Sequence, residues 1–371
     1  MSTDHSAPDP DALRLRCSSC GRTYTDRWRC ACGHPLDIDA PLPDTAEIDP
    51  ETIDLTAGLW GFDALLALPA RQRVCLGAGA TPLVTAPEPW SCQFMLEYVS
   101  PTGSFKDRGA AAVLSRAVEL GVDRVIEDSS GNAGAAIATY AARAGLDCTV
   151  YVPASAPSAK VRAIERTGAS IVRVEGSRQD VTDACVAAVE RGEGWYASHA
   201  WNPFFFEGTA TIAYEIAARR GWSAPDALLM PLGHGTLFLG AYRGFRRLDQ
   251  MDLIDELPRL LGVQAAGYDP IARELHGAAD GDTNDAADGI HIREPVRKNQ
   301  IMDAIAATDG DCIALGSTAV EAELGALGRH GFYVEPTSAI APAALERYRE
   351  RGVLDPDDDV VVPLTGSGLK K

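Results

Sequence analysis

From about residue 80 to the C-terminus, the hydrophobic positions of this chain form short, nearly continuous apolar runs separated by longer Ala-rich stretches with helical spacing. DRVIEDSS, DCTVYVP, SIVRVE, GWYAS, DALLMPLG, LLGVQAA and DVVVPLTG read as strands, being brief, rich in Val, Ile and Leu, and bounded by Gly, Asp or Ser. Between them GNAGAAIATYAARAG, SAKVRAIERTG and RQDVTDACVAAVERG read as helices. Apolar strands alternating with helices predict parallel sheet covered on both faces. Ahead of this region LGAGATPLVTAPE reads as loop and short strand, and CQFMLEYVS as a second strand running into the turn SPTGSFKDRGA. DIDAPLPDTAEIDPETIDLTAGLW, rich in Pro, Asp and Thr, reads as a linker ending near Leu59 and Trp60. No short-period repeat is present, which excludes a solenoid.

At 371 residues and 46% hydrophobic content, the chain is long enough for two domains and a small appendage. A net charge of −18 argues against nucleic-acid and anionic-membrane partners, which would repel it. No apolar run reaches the ~18 residues of a membrane span, and MSTDHSAPDPDALRLR lacks the apolar core of a secretory signal, so a cytoplasmic location is expected.

Only five lysines stand against 29 arginines, and one of them, Lys106, lies between a Pro-Thr-Gly turn and the Ala-rich run RGAAAVLSRAVEL. Ser104 is placed to cap that helix, which would set the Lys106 amine at a helix mouth and point to amine chemistry. The alternative is a turn lysine with its head in water. Three further Gly-bearing turns follow strands: DSSGNAGAA with Ser130, Gly131 and Asn132, PLGHGT with Gly233, His234, Gly235 and Thr236, and LTGSGLKK with Thr365 and Ser367. Backbone amides at such turns suit anions, and the second suits a phosphate. Four such loops at strand ends predict one site at the sheet's carboxyl edge.

Nine cysteines divide into five scattered residues and a cluster, Cys17, Cys20, Cys30 and Cys32, in LRCSSCGRTYTDRWRCACGH. Two Cys pairs each followed by Gly suit a four-thiolate zinc knuckle, although the second pair has Cys-x-Cys spacing, and a reduced, metal-free cluster is the alternative. A four-thiolate site has no open position, so the metal would be structural, and loss of residues 1–39 is expected to leave activity intact.

SPTGSFKDRGA, DSSGNAGAA, GHGT, NPFFFEGTATIAYEI, GFYVEPTSAIAPAAL and LTGSGLKK, in this order, resemble the threonine synthase branch of the tryptophan-synthase-β-like, fold type II pyridoxal-phosphate enzymes. The resemblance runs from about Gly79 to the C-terminus, and the cysteine-rich front is similar to the zinc-ribbon-like extension of some members. It implies an α/β architecture of two open, mainly parallel three-layer α/β/α domains preceded by a zinc-ribbon-like knuckle. The expected division is 1–40 for the knuckle, 41–106 with 200–371 for the large cofactor domain, and 107–199 for a smaller inserted domain. A homodimer acting on a small amino acid is the family's expectation.

Residue by residue, the resemblance implies that Lys106 is the catalytic residue and holds the pyridoxal 5′-phosphate aldehyde covalently. Asn132 would bond the ring's 3′ oxygen, Gly233, His234, Gly235 and Thr236 would cradle the cofactor phosphate, and Thr365 would face the pyridine nitrogen. Ser129, Ser130 and His199 would bind substrate. The implied reaction converts O-phospho-L-homoserine and water to L-threonine and phosphate. The chain departs from the family's NPxRxEGQKT, having Phe205 and Ala210 at two basic positions. With that charge gone, His199, His234, Lys160 and Arg162 are the candidate substitutes for binding substrate phosphate. Two alternatives follow: a dehydratase or β-replacement enzyme with Phe204, Phe205 and Phe206 shaping a less polar pocket, and a cofactor-less binding protein.

Overall fold

A computed structural model describes residues 13–43, 48–68, 72–277 and 282–370; the start of the chain, part of the linker and Lys371 of the closing run lie outside the described residues. The front module is a three-stranded antiparallel sheet of β1 (Arg14–Cys17), β2 (Thr23–Tyr24) and β3 (Leu36–Asp39), in the order β2-β1-β3. The body strands are β4 (Leu83–Thr85), β5 (Gln93–Met95), β6 (Arg124–Glu127), β7 (Asp147–Pro153), β8 (Ser170–Val174), β9 (Trp195–Tyr196), β10 (Ala227–Pro231), β11 (Arg259–Ala265), β12 (Asp311–Leu315) and β13 (Val360–Pro363). They form a six-stranded sheet, β12-β11-β10-β13-β5-β4, parallel except for β4, and a four-stranded parallel sheet, β8-β7-β6-β9. Every residue of β10 and β13 is buried, which is why both read as unbroken apolar runs.

The helices that position the site are α1 (Lys106–Glu119), α2 (Asn132–Ala144), α3 (Ser158–Glu165), α4 (Arg178–Glu190), α5 (Pro203–Arg219) and α6 (Thr236–Gln250). Buried α5 packs against α1 and α6. Small residues allow the close approach: a side chain at Gly208 would meet the Arg108 carbonyl at 2.1 Å, and one at Gly244 would meet the Ala210 carbonyl at 2.4 Å. The tail of the sequence-defined linker is not extended. Leu55–Leu65 forms 3-10 turns that bury Leu59, Trp60, Phe62 and Leu65 against the body. Nor does CQFMLEYVS continue as strand, because it leaves β5 for a single 3-10 turn, Glu97–Val99. Among the described residues, no helix is long and apolar enough to cross a membrane.

The front module is tied to the body. The fully buried Arg297 guanidinium donates to Asp37 at 2.7 Å, to the Leu36 carbonyl at 2.8 Å and to the Trp201 carbonyl at 3.0 Å. Trp28 packs edge-on against Tyr196 and Trp201, at 5.1 and 5.2 Å between ring centroids. The Arg297–Asp37 contact argues against the expectation that residues 1–39 can be lost without effect, since removing Asp37 leaves Arg297 buried without its carboxylate. Burial opposes ionisation of Asp37, but Arg243 and Arg297 outweigh it and hold its carboxyl at about 2.

Asp37→Ala is expected to lower stability by about 2–3 kcal/mol, less than for a fully buried pair because Arg297 keeps its carbonyl acceptors. The folded-state pKa lies below the unfolded one, so the contribution is present above pH ~4 and fades as pH falls towards 2. Denaturant melts of both proteins at pH 7 and pH 3 check this: the gap should narrow at pH 3, and an equal gap at both would count against the ion pair.

Candidate active site

The carboxyl ends of β6, β7, β9, β10 and β13 and the mouths of α1, α2, α4 and α6 meet at a cleft of about 570 Å³. Of the expected residues, Lys106, Ser129, Ser130, Asn132, His199, Gly233, His234, Gly235, Thr236 and Thr365 all line it. The loops after β6, β10 and β13 supply most of them, at the carboxyl edges of the two parallel sheets.

Lys106 is the first residue of α1, and its Nζ donates to Thr236 Oγ1 at 2.8 Å. Desolvation pushes its pKa down to about 7, with Arg178 acting the same way and Glu127 and Glu335 opposing. The lysine turn is not held as the sequence suggested, because Ser104 does not cap α1 and its buried hydroxyl has no hydrogen-bond partner among the described residues. Asp107 holds the turn instead, accepting from the Thr102 amide at 2.7 Å and from the Thr102 hydroxyl. The Phe105 amide donates to the Thr365 carbonyl at 3.1 Å and the Ser367 amide to the Gly103 carbonyl at 2.9 Å, joining this turn to the closing segment.

Asn132 opens α2; its Nδ2 donates to Glu335 at 2.7 Å and its Oδ1 accepts from Lys370 at 2.7 Å. Thus Lys370, at the end of the closing run LTGSGLKK, reaches Asn132 without lining the cleft. Gly235 precedes α6 with φ +78°, a backbone form that favours glycine. A side chain there would meet Ile301 at 2.7 Å, and one at Gly233 would meet Ile290 at 3.1 Å. The turn leaves the first amides of α6 free to hold an anion.

The expected replacements for the missing basic residues need correction. Burial pushes His234 down to about 3 and His199 well below its usual range, so neither carries positive charge at neutral pH. Arg162 does not line the cleft, whereas Lys160 does, paired with Asp288 at 2.7 Å. The cation that sequence reasoning missed is Arg178, which lines the cleft and has no hydrogen bond or ion pair to another described residue. Its one sequence signal is its place just after Ser177, which with Asp180 forms the capping box of α4. Nor do three phenylalanines shape the pocket, since none lines it. Phe204 and Phe206 stack under Arg116 and Arg297, at 5.3 and 4.4 Å, while fully buried Phe205 stands 6.1 Å from the His199 ring.

Away from the cleft, the Sγ atoms of Cys17, Cys20, Cys30 and Cys32 lie within 4.8 Å of one another, a set that can hold a metal ion. The Cys20–Cys30 and Cys17–Cys32 separations are 3.5 and 3.6 Å, close to the ~3.8 Å edge of a tetrahedron with ~2.3 Å metal–sulfur bonds.

The model for pyridoxal-phosphate dependent enzymes matches residues 74–366. A threonine synthase of Methanocaldococcus jannaschii is 33% identical over 96% of this chain and 92% of its own length. One from Mycobacterium bovis is 32% identical over 80% of this chain and 83% of its own. Among solved structures, maize serine racemase superposes with a TM-score of 0.67 at 20% identity, covering 78% of this chain and 88% of its own, and a tomato (Solanum lycopersicum) threonine deaminase with 0.64 at 21%, covering 77% and 79%. On the matched sequence, the parallel sheets and the lysine-bearing cleft, this chain belongs to the pyridoxal-phosphate dependent enzymes of fold type II, in their threonine synthase branch.

Proposed function

We propose that this protein is a pyridoxal-phosphate lyase that converts O-phospho-L-homoserine and water to L-threonine and phosphate. The observation that carries this reading is the meeting of Lys106, Asn132, the Gly233–Thr236 turn and Thr365 in one cleft that also holds Arg178, a cation with no ion pair among the described residues. The residues fit the cofactor: a lysine amine pushed down to about 7, a glycine turn with no room for side chains, and an asparagine amide with a second N–H beyond the one given to Glu335. Lys106 would hold the aldehyde, the α6 amides the phosphate, Asn132 the 3′ oxygen and Thr365 the ring nitrogen. When bound, the cofactor supplies an electron sink for the substrate's α-carbon.

The chain's own residues do the remainder. The Lys106 amine, desolvated enough to be substantially neutral near pH 7, takes the α-proton. Ser129 and Ser130, before the α2 N-terminus, offer hydroxyls and amides to the substrate carboxylate. Arg178, with Lys160 also lining the cleft, receives the phosphate that the basic residues of NPxRxEGQKT would otherwise meet. A dehydratase or β-replacement reaction on serine or threonine is the second reading, favoured by Phe205 and Ala210 at the two positions where basic residues are expected. The cysteine cluster is assigned one structural zinc on its four sulfurs and their spacing.

Apo-protein should capture pyridoxal phosphate at a rate that rises with pH and levels off above about 7, where an unperturbed lysine would keep rising until about pH 10. Stopped-flow absorbance gives this profile, and borohydride followed by peptide mapping should tag Lys106; a tag on Lys370 or Lys160 would reassign the anchor. Visible cofactor absorbance in the purified protein also rules out a cofactor-less binding protein.

Steady-state kinetics on O-phosphohomoserine, serine and threonine separate the two lyase readings. For phosphohomoserine, Arg178→Ala should raise KM by roughly 10–100-fold, the loss of charge-assisted bonds of ~1.5–3 kcal/mol, with a smaller change in kcat. Phe205→Arg should lower activity, because the ring it replaces is fully buried against Gly109. Efficient keto-acid formation from serine with no phosphate release would favour the second reading.

Metal analysis of protein purified without chelators should find about one zinc per chain, and Cys17→Ser should lower both metal content and thermal stability. Less than about half an equivalent would argue for a reduced, metal-free cluster.

A further inference from the structure

Beyond Lys106, the cleft contains a second proton-active pair that no step so far uses. His199 lines the cleft, with its Nδ1 2.8 Å from Glu127 Oε1. Glu127, the last residue of β6, is fully buried behind it, and its other oxygen has no hydrogen-bond partner among the described residues. Since Nδ1 faces Glu127 and His199 forms no second side-chain hydrogen bond among the described residues, Nε2 is the nitrogen left for the cleft. A buried carboxyl that satisfies one oxygen only is costly to keep as a purely structural group.

We propose that Glu127 and His199 form a proton relay in which His199 Nε2 delivers a proton to the oxygen leaving the substrate side chain, with Glu127 acting through the ring as the positioning and proton-supplying residue. The inference rests on the lyase reading above. The groups facing the pair are Lys106 from α1, Arg178 from α4, His234 from the turn before α6 and Asp128 beside Glu127. Burial, reinforced by Asp128, raises Glu127 well above the usual carboxylate range. Burial, with Lys106, His234 and Arg178, depresses His199 well below its own. The relay therefore starts from a carboxylic acid at Glu127 donating to Nδ1 of an imidazole that carries its proton on Nε2, an arrangement that the 2.8 Å Nδ1–Oε1 contact accommodates. Phe205, edge-on at 6.1 Å, helps keep the ring dry.

The step balances. The substrate C–O bond breaks with its electron pair going to oxygen, Nε2–H breaks as the new O–H forms, and the Glu127 proton passes to Nδ1. The pair ends as carboxylate and neutral imidazole protonated on Nδ1. Water adding to the substrate returns one proton by the reverse path. A phosphate ester needs this donor, because a dianionic ester that loses its carbon without a proton would depart as a trianion.

The test uses the holoenzyme and two variants, Glu127→Gln and His199→Gln. In Glu127→Gln the introduced amide can donate an N–H to Nδ1, keeping the ring's orientation and tautomer while removing the transferable proton. Cofactor absorbance, exchange of the substrate α-proton with deuterated solvent and product release are measured together. In both variants, absorbance and α-exchange should stay within about 3-fold of wild type while kcat falls by roughly 10²–10³-fold. Should His199→Gln fail to fold, the isosteric Glu127→Gln alone decides. Product release within about 5-fold of wild type in Glu127→Gln would overturn the relay, as would parallel loss of exchange and product, which would place the defect at Lys106. Wild type that exchanges no amino-acid α-proton would instead sink the lyase reading, and the relay with it.

Discussion

The site depends first on the buried guanidinium of Arg108, two residues beyond Lys106. It donates to both oxygens of Glu97, at 2.7 and 2.9 Å, and to Glu215 at 2.7 Å, and all three side chains are essentially inaccessible. Thr81 and Thr211 complete the network. Glu97 sits just past β5 and Glu215 on α5, so one arginine fixes the start of α1 against the large sheet's edge and against the helix behind it. Removing Arg108 would strand two buried carboxylates, at a cost of roughly 3–5 kcal/mol. That cost gives the Lys106 backbone one position, as a group that must meet Thr236 from another loop requires.

A second constraint links the front module to the same cleft. Arg297 reaches Asp37 and Leu36 of that module and also the carbonyls of Ala200 and Trp201, the residues directly after His199. The front module therefore bears on the cleft wall through Arg297 and through Trp28, which packs on Trp201.

The pattern of apolar runs revealed the parallel α/β architecture because strands buried on both faces need little else. The Gly-rich turns revealed the cleft, since each lies where a strand ends. Strand β12 was not legible: DCIAL is short, contains Cys and Ala, and lies between two Ala-rich helices, so nothing in its pattern separates it from them. Arg178 was invisible for another reason. It is one arginine among many, and only the fold turns the mouth of α4 towards Lys106. Glu127 belongs to a strand whose sequence gives no sign of a polar partner on another loop. Misplacing the helix cap on Ser104 came from reading a local signal where Asp107 reaches back to Thr102.

The replacement of basic residues by Phe205 and Ala210 is coherent with the rest of the site. Ala210 lies where α5 and α6 approach closely, and the Phe205 ring fills space that a side chain at Gly109 would enter at 2.3 Å. A cation at position 205 would add positive charge beside His199 and near Lys106, whose Nζ is 5.8 Å from the Phe205 ring. An apolar wall instead deepens the desolvation that brings the lysine down to about 7. Positive charge is displaced outward to Arg178, which is exposed at the cleft and can meet an anion without a buried partner's desolvation cost. In the proposed function the interior of the site is thus kept for groups that trade protons, and its mouth for a group that carries fixed charge.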